Sequence, residues 1–427
     1  MHQTFANADL CIAGPGAPDT EAGFLHQRPH PTVQPYRMSI TAHGKSSAGM
    51  YSVSQADPGA CSDYGTPRIQ QHSPLSKRAW IVQERYLSPR TLYFGTSQLY
   101  FECQAESYFE MSYEPVRSMM DPDGAARWHI NFTGKADEDL ASWYRVVGLY
   151  SKRKLTNGGD KLPALSGLAS RYAQVSKDKY LAGLWYGDLF AALHWVTATW
   201  SDDEGCNSTH PSPSRPPSWS WAACDRTIDH LLHRNVTTST PDLKVFNATT
   251  NSSSLDPFGE VNQGRLLIKG KVKQATVNSR PSPLPDDYWV KHARKAVTWH
   301  YIADSEPAAR DVAGFYPDDR TGASLKNDSA KFGTIHCLLL GHHVVREPPA
   351  LDEVIFRQDR HFWTALAVKP LDESLKTFVR VGMIVSDNYS DIETPFVMLM
   401  GGREDPAVLE YTKDWWAGAA ETFLEIF

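Results

Sequence analysis

The sequence predicts an α/β layer with a helical subdomain over residues 1–225, followed by a β-rich region over 226–427. Three patterns point there. Short apolar runs at 9–13, 91–94 and 98–103 are separated by an amphipathic stretch at 73–85. Apolar residues recur at helical spacing between 140 and 195. Beyond 218 the pattern turns β, with strand-like runs separated by long polar stretches. At roughly 100–200 residues per domain, a chain of 427 residues has room for two to four domains.

Gln3 to Asn7 reads as the end of a helix and Asp9 to Ala13 as a strand, stopped by Gly14-Pro15-Gly16. Residues 26–72 scatter Pro, Gly, Ser and His without a period and read as an irregular insertion. Ser73-Pro74 suits an N-cap and first helical residue, so a helix is expected from there to Arg85. Thr91 to Phe94 and Gln98 to Cys103 read as two strands around a Gly95 turn. Leu140, Trp143, Val147 and Tyr150 predict a helix; Asp160 is expected to cap a second through Tyr172, and Tyr180 to Trp195 reads as a third. Four prolines mark 201–217 as a linker. Strands are then expected at Arg265–Lys273, Thr334–Leu340, Trp363–Val368 and Thr377–Ile384, with a short closing helix over 414–427.

Composition narrows the function classes. Lys and Arg number 43 against 49 Asp and Glu, a net charge of −6, so nucleic acid is not the expected partner. No apolar run nears the roughly 20 residues that cross a bilayer, and no membrane partner is expected. Residues 1–18 lack a basic n-region and an apolar h-region, so a secretory signal is not expected. The six cysteines (Cys11, Cys61, Cys103, Cys206, Cys224 and Cys337) form no C-x-x-C pair. They read as free thiols in a reducing compartment, the cytoplasm. Sequons such as Asn131, Asn207 and Asn388 are then incidental. The 13 tryptophans predict a substantial core.

Most motifs dissolve on inspection. Gly14-Pro15-Gly16 lacks the third glycine of a dinucleotide fingerprint and reads as a turn. Gly264 and Gly270-Lys271 are spaced one residue too far for a phosphate loop, and Val272 stands where Ser or Thr is needed. Asp225, Asp229, His230 and His233 lack a convincing ligand set and read as a solvated loop, so no metal is expected. Gly341-His342-His343 reads as a turn after a strand. No G-x-S-x-G elbow is present.

One pair carries chemistry. Trp80 and Glu84 are four apart in a helical stretch, so they share a face. An aromatic ring beside a carboxylate shields it from water and raises its pKa, giving an acid/base group or a partner for a cationic transition state. The alternative is a surface Glu84 paired with Arg85 or Lys77 over a buried Trp80.

The segments taken together resemble the fungal heterokaryon incompatibility (HET) domain. The matching stretches are Met1–Ala13, Arg78–Gly95, Gln98–Cys103, Asp160–Ala169, Tyr180–Trp185 and Pro217–Ala222. The most specific are Trp80-x-x-Gln83-Glu84-Arg85-x-Leu87-Ser88-Pro89-Arg90 and Asp160-Lys161-x-Pro163-Ala164-Leu165-Ser166-Gly167-Leu168-Ala169. The resemblance spans about residues 1–225 and implies an intracellular fungal protein acting in non-self recognition and programmed cell death, with other HET-domain or signalling proteins as partners. HET domains in turn resemble the TIR domain, a flavodoxin-like fold, and some TIR domains cleave NAD. By that analogy Glu84 is the catalytic residue, Trp80 contributes to nucleotide binding, and NAD is a substrate rather than a bound cofactor.

The chain departs from the family at its start. HET domains usually open on an L-S-Y-x-W-G strand and a W-I-D-x-x-C-I-x-Q segment, and this chain begins inside the third block. The resemblance thus implies a truncated domain, from a misplaced start codon or a gene fragment. Strands 1 and 2 of the 2-1-3-4-5 order would be missing. The strand at 9–13 would be an uncovered parallel edge, and little or no NAD cleavage is expected. A non-catalytic interaction module is the alternative reading.

Overall fold

A computed structural model describes residues 2–17, 19, 21–25, 34–42, 45–53, 73–95, 99–103, 106–110, 132–197, 208–210, 215–233, 236–252, 255–281, 298–303, 311–318, 333–346, 359–386 and 415–427. The chain divides into two compact units, residues 1–132 and 133–427. The boundary read from the sequence at 225 falls inside the second.

The first unit is a small mixed α/β layer. Helix α1 (His2–Ala6) leads into strand β1 (Cys11–Ala13). Within the span expected to be irregular, β2 (Gln34–Ala42) and β3 (Lys45–Val53) form an antiparallel hairpin. The expected helix over 73–85 is shorter and later. Ser73 accepts the Ser76 amide and caps a 3-10 turn at Leu75–Lys77, and the extended backbone at Arg78 then interrupts the helix. Helix α2 runs from Ile81 to Leu87. Strands β4 (Arg90–Phe94), β5 (Leu99–Cys103) and β6 (Ser107–Phe109) complete a sheet of order β1-β4-β5-β6. β1 pairs β4 in parallel, with Cys11 opposite Thr91, so β1, α2 and β4 form a β-α-β unit. The other two pairings are antiparallel. Among the described residues, β1 is the outer strand of this sheet. Ala13, Tyr93 and Tyr100 form the small core.

The second unit joins a tryptophan-rich helical layer to a β-barrel. Helix α3 (Ala136–Ser151) agrees with the predicted periodicity and buries Trp143, Val146, Val147 and Tyr150. Asp139, in its first turn, accepts the Thr133 and Gly134 amides at 2.8 Å each and ties the incoming segment to the helix. Strand β7 (Leu155–Asn157) and two 3-10 turns precede helix α4 (Ser166–Ser176), so the helix expected from Asp160 begins only beyond Pro163.

The helix expected over 180–195 is mostly absent. β8 (Tyr180–Leu181) and β9 (Leu184–Trp185) form a hairpin, and only a short helix α5 (Leu189–Ala192) follows. Ala182 and Gly183 turn the chain with φ of 50° and 94°, the two positive values a type I′ turn demands. The Gly183 carbonyl accepts both the Trp143 and Trp221 indole N–H groups, at 3.1 and 3.0 Å. A Cβ on Gly183 would lie 2.6 Å from Trp221 Nε1. Gly183→Ala is therefore expected to cost about 3 kcal/mol, the sum of backbone strain and a displaced buried ring. A urea midpoint unchanged within error would refute this.

Strand β10 (Trp195–Thr197) pairs β12 (Ile228–His230), and β11 (Ser208–His210) pairs β7. Nine strands follow or join the large sheet: β13 (Val236–Pro241), β14 (Lys244–Ser252), β15 (Val261–Pro281), β16 (Thr298–Ala303), β17 (Asp311–Pro317), β18 (Thr334–Arg346), β19 (Asp359–Pro370), β20 (Thr377–Val385) and β21 (Ala420–Ile426). Four of them contain the strands predicted beyond 218. β15 is long enough to change partners. Its first part pairs β14 and β21, and its later part pairs β16 and β18. The pairings β15–β16–β17–β20–β19–β18 return to β15 and close a six-stranded barrel. Its interior holds Ala275, Ile302, Phe315, Cys337, Ala365 and Ala367, with Trp363, Trp415 and Trp416.

Gly341-His342-His343 lies inside β18, at a bulge after Leu339, not in a turn. A Cβ on Gly341 would come 2.4 Å from the Thr240 carbonyl, so close approach of β13 explains this glycine. The closing segment is not a helix but strand β21, which buries Leu424 and Ile426 and leaves Phe423 exposed. The linker expected over 201–217 lies mostly outside the described residues. Among the described residues, no helix is long and apolar enough to cross a membrane.

Candidate functional site

Trp80 and Glu84 lie at the start of α2, on the crossover between the two parallel strands. Trp80 already has helical backbone angles, and the Glu84 amide donates to its carbonyl at 3.2 Å. The two residues are therefore one helical turn apart on a shared face. Both are half-buried.

The alternative pairing of Glu84 with Arg85 does not occur. Arg85 turns toward the sheet, and its Nε and Nη2 donate to both Glu102 carboxylate oxygens at 2.9–3.1 Å. Glu102 is on β5 and is buried. Among the described residues, the Glu84 carboxylate accepts no hydrogen bond. Burial raises its pKa, and the Arg78 charge partly opposes that rise.

Two neighbours were not legible as site residues. Cys11, on β1, lies close enough for the Glu84 charge to act on its thiol. Burial pushes that thiol up, a hydrogen bond with Ser88 opposes it, and Glu84 raises it further, so Cys11 is held as a neutral thiol. Ser88 terminates α2 by donating its hydroxyl to the Glu84 carbonyl at 2.7 Å. The Ser88-Pro89 step thus has a capping role, and the chain turns directly into β4. What the arrangement offers chemically is one protonatable carboxyl beside a helix start, with an indole and a neutral thiol around it.

The second unit uses its polar motif residues structurally. In the Pro217–Ala222 stretch, Ser218 accepts the Arg380 amide at 2.9 Å and donates to the Phe427 carbonyl. Ser220 donates to the Ala182 carbonyl at 2.5 Å, and Trp195 donates to the Trp219 carbonyl at 3.0 Å. This stretch clasps the hairpin, β10 and the end of β21 together. Lys161, in the other specific stretch, is buried against Asp225 at 3.0 Å and the Cys224 carbonyl. Asp225 also pairs Arg215, and the His230 ring packs on Tyr144 with centroids 4.2 Å apart. Among the described residues, no cluster of His, Cys, Asp and Glu could hold a metal ion. Cys11, Cys103, Cys224 and Cys337 are free thiols.

A buried carboxyl in the second unit is also perturbed. Asp188 is pushed up to about 6, mainly by burial, and accepts the Tyr144 hydroxyl at 2.5 Å. These two residues are 44 apart in sequence, so no local pattern marks them.

The chain matches no family model, no curated protein and no solved structure.

Proposed function

We propose that this protein acts in fungal non-self recognition and programmed cell death, as its resemblance to the HET domain implies, and that it acts by assembly rather than by cleaving NAD. The observation that carries this reading is the outer edge of β1. It is a parallel edge without a further strand among the described residues, and its flanking apolar side chains face solvent, with Ile12 57% and Leu10 45% exposed. Unpaired edges of this kind add strands from other chains. Partners would be other HET-domain or signalling proteins.

A second reading, TIR-like NAD hydrolysis through Glu84, is favoured by the unpaired, partly buried carboxyl beside Trp80. The flavodoxin-like order belongs with this reading. A single parallel pairing in a four-stranded sheet gives it limited support.

Expression in a filamentous fungal host separates the two. Death is expected to persist in Glu84→Gln and to fall at least about tenfold in Ile12→Lys, where an exposed charge blocks strand addition. Purified protein is expected to release no nicotinamide from NAD above buffer. Robust turnover abolished by Glu84→Gln would transfer the function to the second reading.

A further inference from the structure

Thr364 on β19 stands between two imidazoles, His194 just after α5 and His343 on β18. All three are buried. One fixed acceptor sets the direction of every bond in this group. His194 Nδ1 is 2.7 Å from the Phe190 carbonyl, which can only accept. Nδ1 therefore carries the proton, and Nε2 of neutral His194 is an acceptor. The Thr364 hydroxyl, 2.8 Å from that Nε2, donates to it. Its oxygen is left to accept, and His343 Nε2 donates across 2.9 Å. His343 Nδ1 then accepts from the Ser239 hydroxyl at 2.9 Å. A single run of bonds passes from Ser239 through His343, Thr364 and His194 to Phe190, and it is complete with both rings neutral.

An added proton disrupts it. Protonated His194 would face Thr364 with a second donor, and the threonine's own proton would lose its acceptor. Protonated His343 would need Ser239 to reverse and would bring a charge into a buried site. The surrounding charged groups give no relief. The Arg380 guanidinium binds the Leu193 and Trp195 carbonyls on either side of His194, and its carboxylate partner Asp318 is already engaged. His342, next along β18, pairs Asp242 at 2.6 Å. Among the described residues, the rings of Phe190 and Phe362 also pack on these imidazoles. Burial, reinforced by His342, lowers His343 to about 4.

The bonds join the helical layer to the large sheet. Phe190 and His194 belong to the helical layer. Ser239, Thr364 and His343 lie on the large sheet, outside the barrel interior lined by Cys337, Trp363 and Ala365. We propose that this hydrogen-bonded chain is an acid-released latch: protonation of the imidazoles parts the helical layer (residues 133–233) from the barrel, which stays folded.

The sign is set by His343. Its folded value lies below the ordinary 6.5, so the parted state binds the proton more readily. The latch is intact above about pH 6.5, weakens as the pH falls, and its full contribution is lost below about 4. A difference of about 2.5 units is about 300-fold in the closing equilibrium.

Amide hydrogen exchange on the full chain, corrected for intrinsic rates, tests this between pH 7.5 and 4.5. Helical-layer amides are expected to lose protection at least 30-fold while barrel amides of β18 and β19 keep theirs. His343→Gln is expected to flatten that pH slope. The slope is the readout, because a merely structural loss lowers protection equally at every pH, and the comparison separates the imidazole from Asp318. The proposal is overturned if both layers lose protection together, if neither does, or if His343→Gln retains the wild-type slope.

Discussion

Arg380→Ala is expected to destabilise the second unit by about 3–5 kcal/mol, the largest effect of any single substitution in it. Arg380 is 0% exposed, and Asp318 is buried with it. Its Nε donates to Asp318 Oδ2 at 2.8 Å, Nη1 to the Leu193 carbonyl at 2.8 Å, and Nη2 to the Trp195 carbonyl at 2.6 Å. The guanidinium carbon stands 3.4 Å from the centroid of the Trp195 ring. Alanine would leave a buried carboxylate without its cation, two carbonyls short of these donors and a cavity over the indole. Lysine is expected to recover only a minor part, since a point charge cannot reach three acceptors in different directions or stack on the ring. Arg380→Met with Asp318→Leu removes the charge imbalance and is expected to be less damaging than Arg380→Ala. Urea midpoints followed by tryptophan fluorescence give the ranking. A double variant less stable than Arg380→Ala would show that cavity and packing, rather than the stranded charge, dominate.

No local pattern announces Arg380, and the reason is general to this chain. The β-rich run Thr377–Ile384 reads correctly as a strand, but the partners of Arg380 come from 62, 185 and 187 residues away. What was legible is what local periodicity controls: the helix around Trp143, the strand pair at 91–94 and 98–103, and four strands of the barrel. Barrel closure was not, because it depends on β15 exchanging partners along its length. The misread helix over 180–195 shows the opposite failure. Leu181, Leu184 and Trp185 are all fully buried, so their spacing carried no information about period. Gly183 was the better guide, since a glycine inside an apolar run marks a turn as readily as a helix position.

The candidate site divides in the same way, and Arg85→Ala tests that division. Adjacent residues on α2 have opposite roles. Glu84 shares a helix face with Trp80, while Arg85 reaches β5 and forms a two-pronged pair with Glu102, their side chains only 10% and 4% exposed. That pair sits among Tyr93 and Tyr100, whose hydroxyls are themselves buried. Arg85→Ala would leave the buried Glu102 carboxylate without its guanidinium partner, at an expected cost of about 3–5 kcal/mol. The small core of the first unit has little with which to offset it. Glu84→Gln keeps the shape of the side chain and removes only a charge that burial already disfavours, so its stability is expected to stay within about 0.5 kcal/mol of wild type or to rise. Thermal unfolding of both variants, read beside the fungal death assay, therefore separates fold from chemistry at neighbouring positions. Loss of death in Arg85→Ala with loss of the folded first unit says nothing about catalysis. Loss of death in Glu84→Gln with unfolding unchanged places the chemistry on that carboxyl. If Glu84→Gln proved as destabilising as Arg85→Ala, Glu84 would be a structural residue, and neither catalysis nor its absence could be read from its substitution.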